Sequence, residues 1–392
     1  MQPLREVGQQ LTMKKHVILV LGMHRSGTSS LTNALTTMGV NLGENLMPPH
    51  AGVNDKGFFE DVEFFALNVK ILSFLESDWH HLSPPQENYI TKLESAGFFT
   101  AACELVHRKF ETIHLFGLKD PRIPKLLEFW KFVFDKCDVS ISYLICVRSP
   151  LAVADSLNYR DGLPEEKSLH LWLTHTLNSL FHTHSHRRVV VDYDRLLTAP
   201  GVELDRISTH LGLEIREDLA KEYITEFLDG SLRHSCRTLG EDKDCRYFSS
   251  LVRSTYSLAL SAASDEVDTN DKSFVAAVNA LCSELGRHDF FTRLIDNQTI
   301  AISERDARIN GLHIEATGLQ VRLRELAQEA SEVNSLRAQQ ASELDRLHSE
   351  LLNIKTSNSW KITRPMRVSA RLLRGEFTSF VDGLRRAIRG DK

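Results

Sequence analysis

Short apolar runs alternate with helix-period segments along the first two thirds of this chain. Val17–Leu21, Ile113–Leu118, Ile141–Val147 and Arg188–Val191 read as buried strands. Between them, Asp61–Leu75, Thr100–Thr112, Pro124–Asp135, Leu151–Tyr159 and Glu166–Thr183 carry apolar residues at helical spacing. Leu31, Leu35 and Met38 place a further helix directly after the first run. Strands that alternate with helices predict a parallel sheet covered on both faces, here over residues 16 to about 295. Residues 1–15 stand before it as an N-terminal extension.

The pattern changes near residue 300. Steps of three and four from Ile302 pass through Arg305, Ile309, Leu312, Ala316, Leu319, Leu323, Leu326, Ala330, Val333, Arg337, Gln340, Leu344, Leu347 and Leu351 to Ile354. Most of these slots hold large apolar residues and no proline interrupts them, which predicts a coiled coil over 300–355. So narrow a seam suits a partner helix better than a core, so a homo-oligomer is expected. Arg337 and Gln340 interrupt the seam where a polar pair can set register. Residues 356–392 form a basic amphipathic tail. Lys361, Arg364, Arg367, Arg371 and Arg374 have no acidic residue among them, and Trp360, Ile362, Met366, Leu372 and Leu373 supply apolar bulk. That composition fits a helix on an anionic membrane surface, and a merely solvated basic end equally well. Pro365 limits a helix there to its C-terminal side.

At 392 residues the chain has room for one sizeable domain and something smaller. A hydrophobic content of 42% and a charged content of 25% are those of a soluble globular protein. The net charge of −5 excludes nucleic-acid binding by bulk charge, but the distribution is uneven. Trp360–Lys392 carries +6, which leaves −11 on the remainder. Six cysteines without regular spacing, no apolar core in Met1–Lys15, and a first apolar run too short for a signal or a span together predict free thiols in a reducing cytoplasm. His234, Cys236 and Cys245 are too loosely spaced to predict a metal site, and no metal is expected.

Candidate chemistry begins where the first strand ends. Gly22, Arg25, Ser26, Gly27, Thr28 and Ser29 lead into a helix, an arrangement that points backbone N–H groups at an anion. An ordinary Gly/Ser turn is the plain alternative. The nucleotide-kinase pattern G-x-x-x-x-G-K-[ST] fits Gly22 and Gly27 but has Thr28 in place of the lysine, which leaves Arg25 as the loop's basic side chain. A second constellation is I-C-V-R-S-P-L-A-V-A-D-S, 145–156. Arg148 closes a strand, Pro150 opens a helix, and Ser156 follows two turns on. Arginine's planar fork and a serine hydroxyl make a phosphate site. Two phosphate sites at two strand ends fit a nucleotide phosphorylated at both its 5′ and 3′ positions.

This pair of motifs resembles the sulfotransferases that use 3′-phosphoadenosine 5′-phosphosulfate (PAPS). G-V-N-D-K-G-F-F-E-D at 52–61, F-G-L-K-D-P-R at 116–122 and R-V-V-V-D-Y-D-R-L-L-T-A-P at 188–200 resemble the bacterial carbohydrate-modifying branch. The resemblance covers about residues 16–240. It implies an α/β fold with a P-loop-type parallel sheet and helices on both faces, here followed by the long C-terminal coiled-coil helix. It implies PAPS as co-substrate, held by Ser26, Gly27, Thr28 and Ser29 at the 5′-phosphate and by Arg148 and Ser156 at the 3′-phosphate. It places Arg25 at the bridging oxygen, Tyr193 beside the nucleotide and Arg233 as a further 3′-phosphate ligand. The acceptor's general base is then Glu60, with Asp61 as runner-up. Lys119 and Arg122 stabilise sulfuryl oxygens or fix the acceptor. The histidine base of the family's cytosolic small-molecule branch has no counterpart in Lys119-Asp120-Pro121. His170, His175, His182, His184 and His186 read mostly as surface. The segment S-N-S-W-K-I-T-R-P-M-R after the coiled coil resembles the tail of bacterial surface-polysaccharide glycosyltransferases. It implies a lipid-linked or growing glycan as acceptor at the inner membrane face. A nucleotide-dependent kinase and a non-catalytic assembly protein are the two competing readings.

Overall fold

The computed structural model describes residues 14–50, 56–228 and 249–374. In chain order these form β1 (His16–Leu21), α1 (Thr28–Ala34), α2 (Val62–Phe74), α3 (Tyr89–Ser95), α4 (Phe98–Lys109), β2 (Leu115–Lys119), α5 (Leu127–Lys136) and β3 (Ser140–Val147). Then follow α6 (Pro150–Asp161), α7 (Glu165–His182), β4 (Arg188–Asp192), α8 (Tyr193–Thr198), α9 (Pro200–Leu211), α10 (Glu217–Glu222), α11 (Ser249–Ala263) and α12 (Lys272–Gly286). The last three helices are α13 (Asp289–Thr356), α14 (Asn358–Ile362) and α15 (Arg364–Leu373).

The strands pair in parallel in the order β2-β1-β3-β4. Successive side chains of a strand point to opposite faces, and here each face has its own core. Val17, Leu19 and Leu21 of β1 join Phe116, Tyr143 and Ile145 in a cluster closed by Phe64, Trp130, Leu151 and Trp172. Ile18 and Val20 join Leu144, Cys146 and Val191 in a second cluster, closed by Leu31, Leu204 and Ile207. The sheet is therefore covered on both faces. Gly117 leaves room on the second face of β2, where a Cβ would stand 2.7 Å from Leu42.

The expected helices 61–75, 100–112, 124–135, 151–159 and 166–183 correspond to α2, α4, α5, α6 and α7 with ends shifted by a few residues. The surface reading of α7's histidines needs correction at two positions, since His170 is 5% exposed and His175 is fully buried. α7 packs against α6, α12, α11 and α5 and has no solvent face through its middle. Burial holds both imidazoles neutral, His170 down to about 4 and His175 down to about 3.

Contacts divide the chain into two units, Met1–Ile300 and Ala301–Lys392. α13 is 68 residues long and starts before residue 300. Its opening turns belong to the first unit, where Thr292 and Asp296 are buried. In the second unit the seam residues stand open, from 48% exposure at Val333 to 71% at Leu323. Ser357 ends α13 and caps α14, accepting from Trp360 N–H at 3.1 Å. α15 begins at Arg364 with Pro365 in its first turn, where a proline has no hydrogen bond to lose. The Arg367 guanidinium lies 3.5 Å from the centre of the Trp360 indole. Among the described residues no helix is long and apolar enough to cross a membrane.

Candidate active site

β1 and β3 are neighbours, so the loops that leave their carboxyl ends meet in one crevice. Each loop is shaped by a local requirement. Gly22, at φ 150°, passes so close to β3 that a Cβ there would stand 2.8 Å from the Cys146 carbonyl and 2.9 Å from the Thr28 methyl. Gly27, at φ 93°, opens α1 with no side-chain cap, and a Cβ on it would enter the Tyr193 ring at 2.1 Å. The amide groups of the first turn of α1 are therefore not satisfied by a capping side chain. Ser26 Oγ is buried and has no hydrogen-bond partner among the described residues. On the β3 side, Ser149 caps α6 by accepting from Ala152 N–H, and Pro150 begins the helix.

The two loops close on each other through Arg25. Its Nε donates to Ser156 Oγ at 2.8 Å, and Arg148 donates to the Arg25 carbonyl at 2.9 Å. Arg25 holds this position with a left-handed backbone, φ 68°. The Arg148 guanidinium lies 5.0 Å from the centre of the Tyr193 ring, the same ring that fills the space beside Gly27. Trp172 Nε1 donates to the Arg148 carbonyl at 3.2 Å. Arg25, Gly27, Arg148, Ser156 and Tyr193 thus share one locus although β3 and β4 lie far along the chain from β1. Arg233, with His234, Cys236 and Cys245, lies outside the described residues.

A second locus forms at the end of β2. Lys119 donates from Nζ to Glu60 Oε1 at 2.7 Å, to the Phe58 carbonyl at 3.0 Å and to Ser29 Oγ at 3.4 Å. Arg122 NH1 stands 3.8 Å from Glu60 Oε2 and 2.9 Å from Asp120 Oδ1, and its guanidinium lies 4.4 Å from the centre of the Phe65 ring. Asp120 is oriented in turn by Asn68, whose Nδ2 donates to it at 2.9 Å. Trp130 Nε1 donates to Asn68 Oδ1 at 2.8 Å, which extends a buried chain of polar groups from Arg122 through Asp120 and Asn68. Ser29, on α1, joins this locus to the Gly22–Gly27 loop.

The geometry separates the two carboxylates. Asp61 caps α2 through Oδ1, accepting from Glu63 and Phe64 N–H at 3.0 and 3.3 Å, and its Oδ2 pairs with Lys109 at 2.6 Å. Glu60, 4% exposed, meets Lys119 and Arg122. Burial pushes the Glu60 carboxyl up, against the pull of Lys119.

Two further residues belong to this neighbourhood, His24 and Trp79. His24, beside Arg25 in the loop, packs its ring against Trp79 with centroids 4.5 Å apart, and its Nε2 is buried without a hydrogen-bond partner among the described residues. Burial, with Arg160, Arg122 and Lys119 nearby, holds His24 neutral, well below the usual histidine range. His24 lies inside the Gly22–Gly27 pattern, and that position is its sequence signal. Trp79 had no such signal.

Fold and site together define a parallel α/β domain with a glycine-bounded loop, Gly22–Gly27, at the carboxyl end of its first strand. No family model matches the chain, and no curated protein matches it. Among solved structures it is similar to a sulfotransferase domain from the Synechococcus PCC 7002 olefin synthase, with a TM-score of 0.34 and 21% identity over 58% of this chain and 86% of that one. It is also similar to a sulfotransferase domain from the curacin biosynthetic pathway, with a TM-score of 0.33 and 17% identity over 69% and 98%.

Proposed function

We propose that the domain is a sulfotransferase that moves a sulfuryl group from PAPS to a hydroxyl of a carbohydrate. The observation that carries this reading is the closure of the two loops, with Arg25 on Ser156 and Arg148 on the Arg25 carbonyl. It gathers two guanidiniums, a hydroxyl and the Tyr193 ring where a second phosphate of a nucleotide would lie, beside a loop shaped for the first. The residues fit such a ligand, since Ser26 Oγ is an orphaned buried hydroxyl in the loop and Gly27 leaves no room for a side chain.

The donor supplies a sulfuryl group activated by its 5′-phosphate as leaving group. The first turn of α1 and Ser26–Ser29 receive that phosphate's charge. Arg148 and Ser156 hold the 3′-phosphate, remote from the reacting sulfur, so that its binding energy serves orientation. Lys119 bonds Glu60 Oε1, which leaves Oε2 as the oxygen that takes the acceptor hydroxyl's proton. The acceptor oxygen then bonds to sulfur, and the sulfur–phosphate oxygen bond breaks with its electron pair on the phosphate. Lys119, also within reach of Ser29, places positive charge beside the sulfuryl oxygens. Arg25 is turned toward Ser156, on the 3′-phosphate side. To neutralise the bridging oxygen it would exchange that partner for the ligand.

Thr28, 4% exposed with its methyl group packed toward Gly22, supplies none of the charge that a kinase's loop lysine gives to a triphosphate. The exposed seam of α13 supports a homo-oligomer, and the basic amphipathic face of α15 supports contact with an anionic membrane. A lipid-linked glycan at the inner membrane face is the acceptor that fits both.

Calorimetry on the full chain tests the donor site. 3′-Phosphoadenosine 5′-phosphate should bind far more tightly than AMP, because each lost charge-assisted bond removes about 1.5–3 kcal/mol, roughly ten- to a hundredfold in affinity. Arg148→Ala should weaken the bisphosphate and leave AMP nearly unchanged. Equal affinity for the two nucleotides would sink the reading.

A further inference from the structure

The carboxylate of Asp296, two turns into α13 and 4% exposed, is committed to one short segment of the first unit. Oδ1 accepts from Leu82 N–H at 2.9 Å, and Oδ2 accepts from Ser83 N–H at 2.7 Å and from Ser83 Oγ at 2.5 Å. A buried carboxylate needs such donors, and here consecutive residues supply all three. The residues just before it are gripped by Lys125, 3% exposed, which donates to the Asp78 and His81 carbonyls at 2.9 and 2.7 Å.

Trp79 stands between the two carbonyls that Lys125 holds, three residues before the first amide that Asp296 holds. Its N–H donates to Asp78 Oδ1 at 2.6 Å. Its ring meets His24 of the phosphate loop at 4.5 Å, and the Arg160 guanidinium lies 5.5 Å from its centroid. Arg160 is one turn beyond Ser156 on α6, on the same helix face. Trp79 therefore touches both elements that the Arg25–Ser156 bond joins.

We propose that Asp296 is a positioning residue of the nucleotide pocket: by tying residues 82–83 to α13 it seats Trp79 between His24 and Arg160, and so holds the phosphate loop and α6 in register. The proposal rests on the reading of that pocket as the donor site. Asp296 touches none of the residues assigned to the ligand and acts through Trp79. A plain structural tether would steady residues 78–83 and leave the phosphate loop indifferent.

Hydrogen exchange on the full chain separates the two, with no ligand present. In Asp296→Asn, amides of 22–29 should exchange at least tenfold faster together with those of 78–83, while the strands keep their wild-type rates. Ser83→Ala, which removes one bond and leaves the carboxylate, should show the same effect more weakly, and it carries the test if Asp296→Asn does not fold. Asp296→Glu should restore most of the protection. Binding of 3′-phosphoadenosine 5′-phosphate should fall about tenfold in Asp296→Asn and in Trp79→Ala, and hold in Trp79→Phe, which keeps a ring against His24. If the wild-type chain fails to bind this nucleotide, the donor reading falls, while the exchange data still judge the tether. Loosening of 78–83 with wild-type exchange at 22–29, or no loosening of either, overturns the proposal.

Discussion

Glu60 and Asp61 are neighbours with the same chemistry and different surroundings. Asp61 spends both oxygens on the α2 amides and Lys109, whereas Glu60 shares a buried pocket with Lys119 and Arg122. Removing one partner of a buried ion pair costs about 3–5 kcal/mol, so Glu60→Ala would confound stability with chemistry. Glu60→Gln keeps a hydrogen-bond acceptor for Lys119. It should lower turnover about 10²–10⁴-fold with nucleotide binding nearly intact. In the wild type, turnover should rise with pH through an apparent pKa above the usual glutamate range, because burial raises Glu60 and a base must be ionised. Stability runs the other way. A carboxyl harder to ionise when folded contributes most below its unfolded pKa, and that contribution is lost as pH rises through the folded value. A Glu60→Gln enzyme with a normal rate and an unchanged pH profile would move the base elsewhere. The sequence narrowed the choice to these two residues. It could not separate them, because the Lys109 that occupies Asp61 Oδ2 comes from α4, 48 positions away, and the Lys119 that meets Glu60 lies 59 positions away.

At the scale of the element, α13 beyond residue 300 presents a stripe of leucine, isoleucine and valine to solvent, more than a stable lone helix tolerates. Taking Ile302 as the first core position, Leu312, Leu319, Leu326 and Leu347 fall at the second core position, where leucine favours two parallel strands. Arg337 is a polar residue at the first position, a known register device in dimers. In a parallel dimer Glu343 would face His348 of the second copy and Glu350 would face Lys355, as in-register flanking pairs. Sedimentation equilibrium of the full chain should therefore show a dimer. Leu323→Asp with Leu326→Asp should give a monomer that still binds nucleotide. Arg337→Leu should raise the melting temperature of the stem and weaken its preference for one oligomer size. A wild-type chain that stays monomeric at micromolar concentration would leave the stripe without its partner. The heptads were legible because a helix of this length repeats one local rule. The start of the helix at Asp289 was not, since its opening turns are held by contacts within the first unit, Asp296 on Leu82 and Ser83 among them.

For the whole molecule, the tail and the remainder carry opposite net charge, +6 against −11, and the proposed membrane contact rests on the tail. The five basic residues from Lys361 to Arg374 are worth about 1 kcal/mol each beside an anionic leaflet, and a dimer presents two such tails, which raises avidity through effective concentration. Full-length protein should co-sediment with anionic vesicles, be released by high salt, and ignore neutral ones. A chain ending at residue 300 should stay in solution and keep nucleotide binding. A chain ending at 288, which lacks Asp296, should lose most of that binding. Equal vesicle binding by the chain ending at 300 would reduce the tail to a solvated basic end.

What the sequence determined by itself is local and periodic: four strands by their apolar runs, the main helices by their spacing, the glycine-bounded loop, and a heptad seam. Each depends on residues within a few positions of one another, where steric preference and amphipathic period act directly. Tertiary structure alone decided which side chains meet. The Arg25–Ser156 bond spans 131 positions and the Lys119–Glu60 pair 59, while Asp296 reaches Leu82 across 214. The burial of His170 and His175 belongs to the same class, because α7 loses its solvent face only once α6, α11, α12 and α5 have packed around it. No period along the chain encodes these meetings. They arise when parallel strands bring their carboxyl ends to one edge and the loops there compete for the same space, and the charge of each group is then set by what it has been packed against.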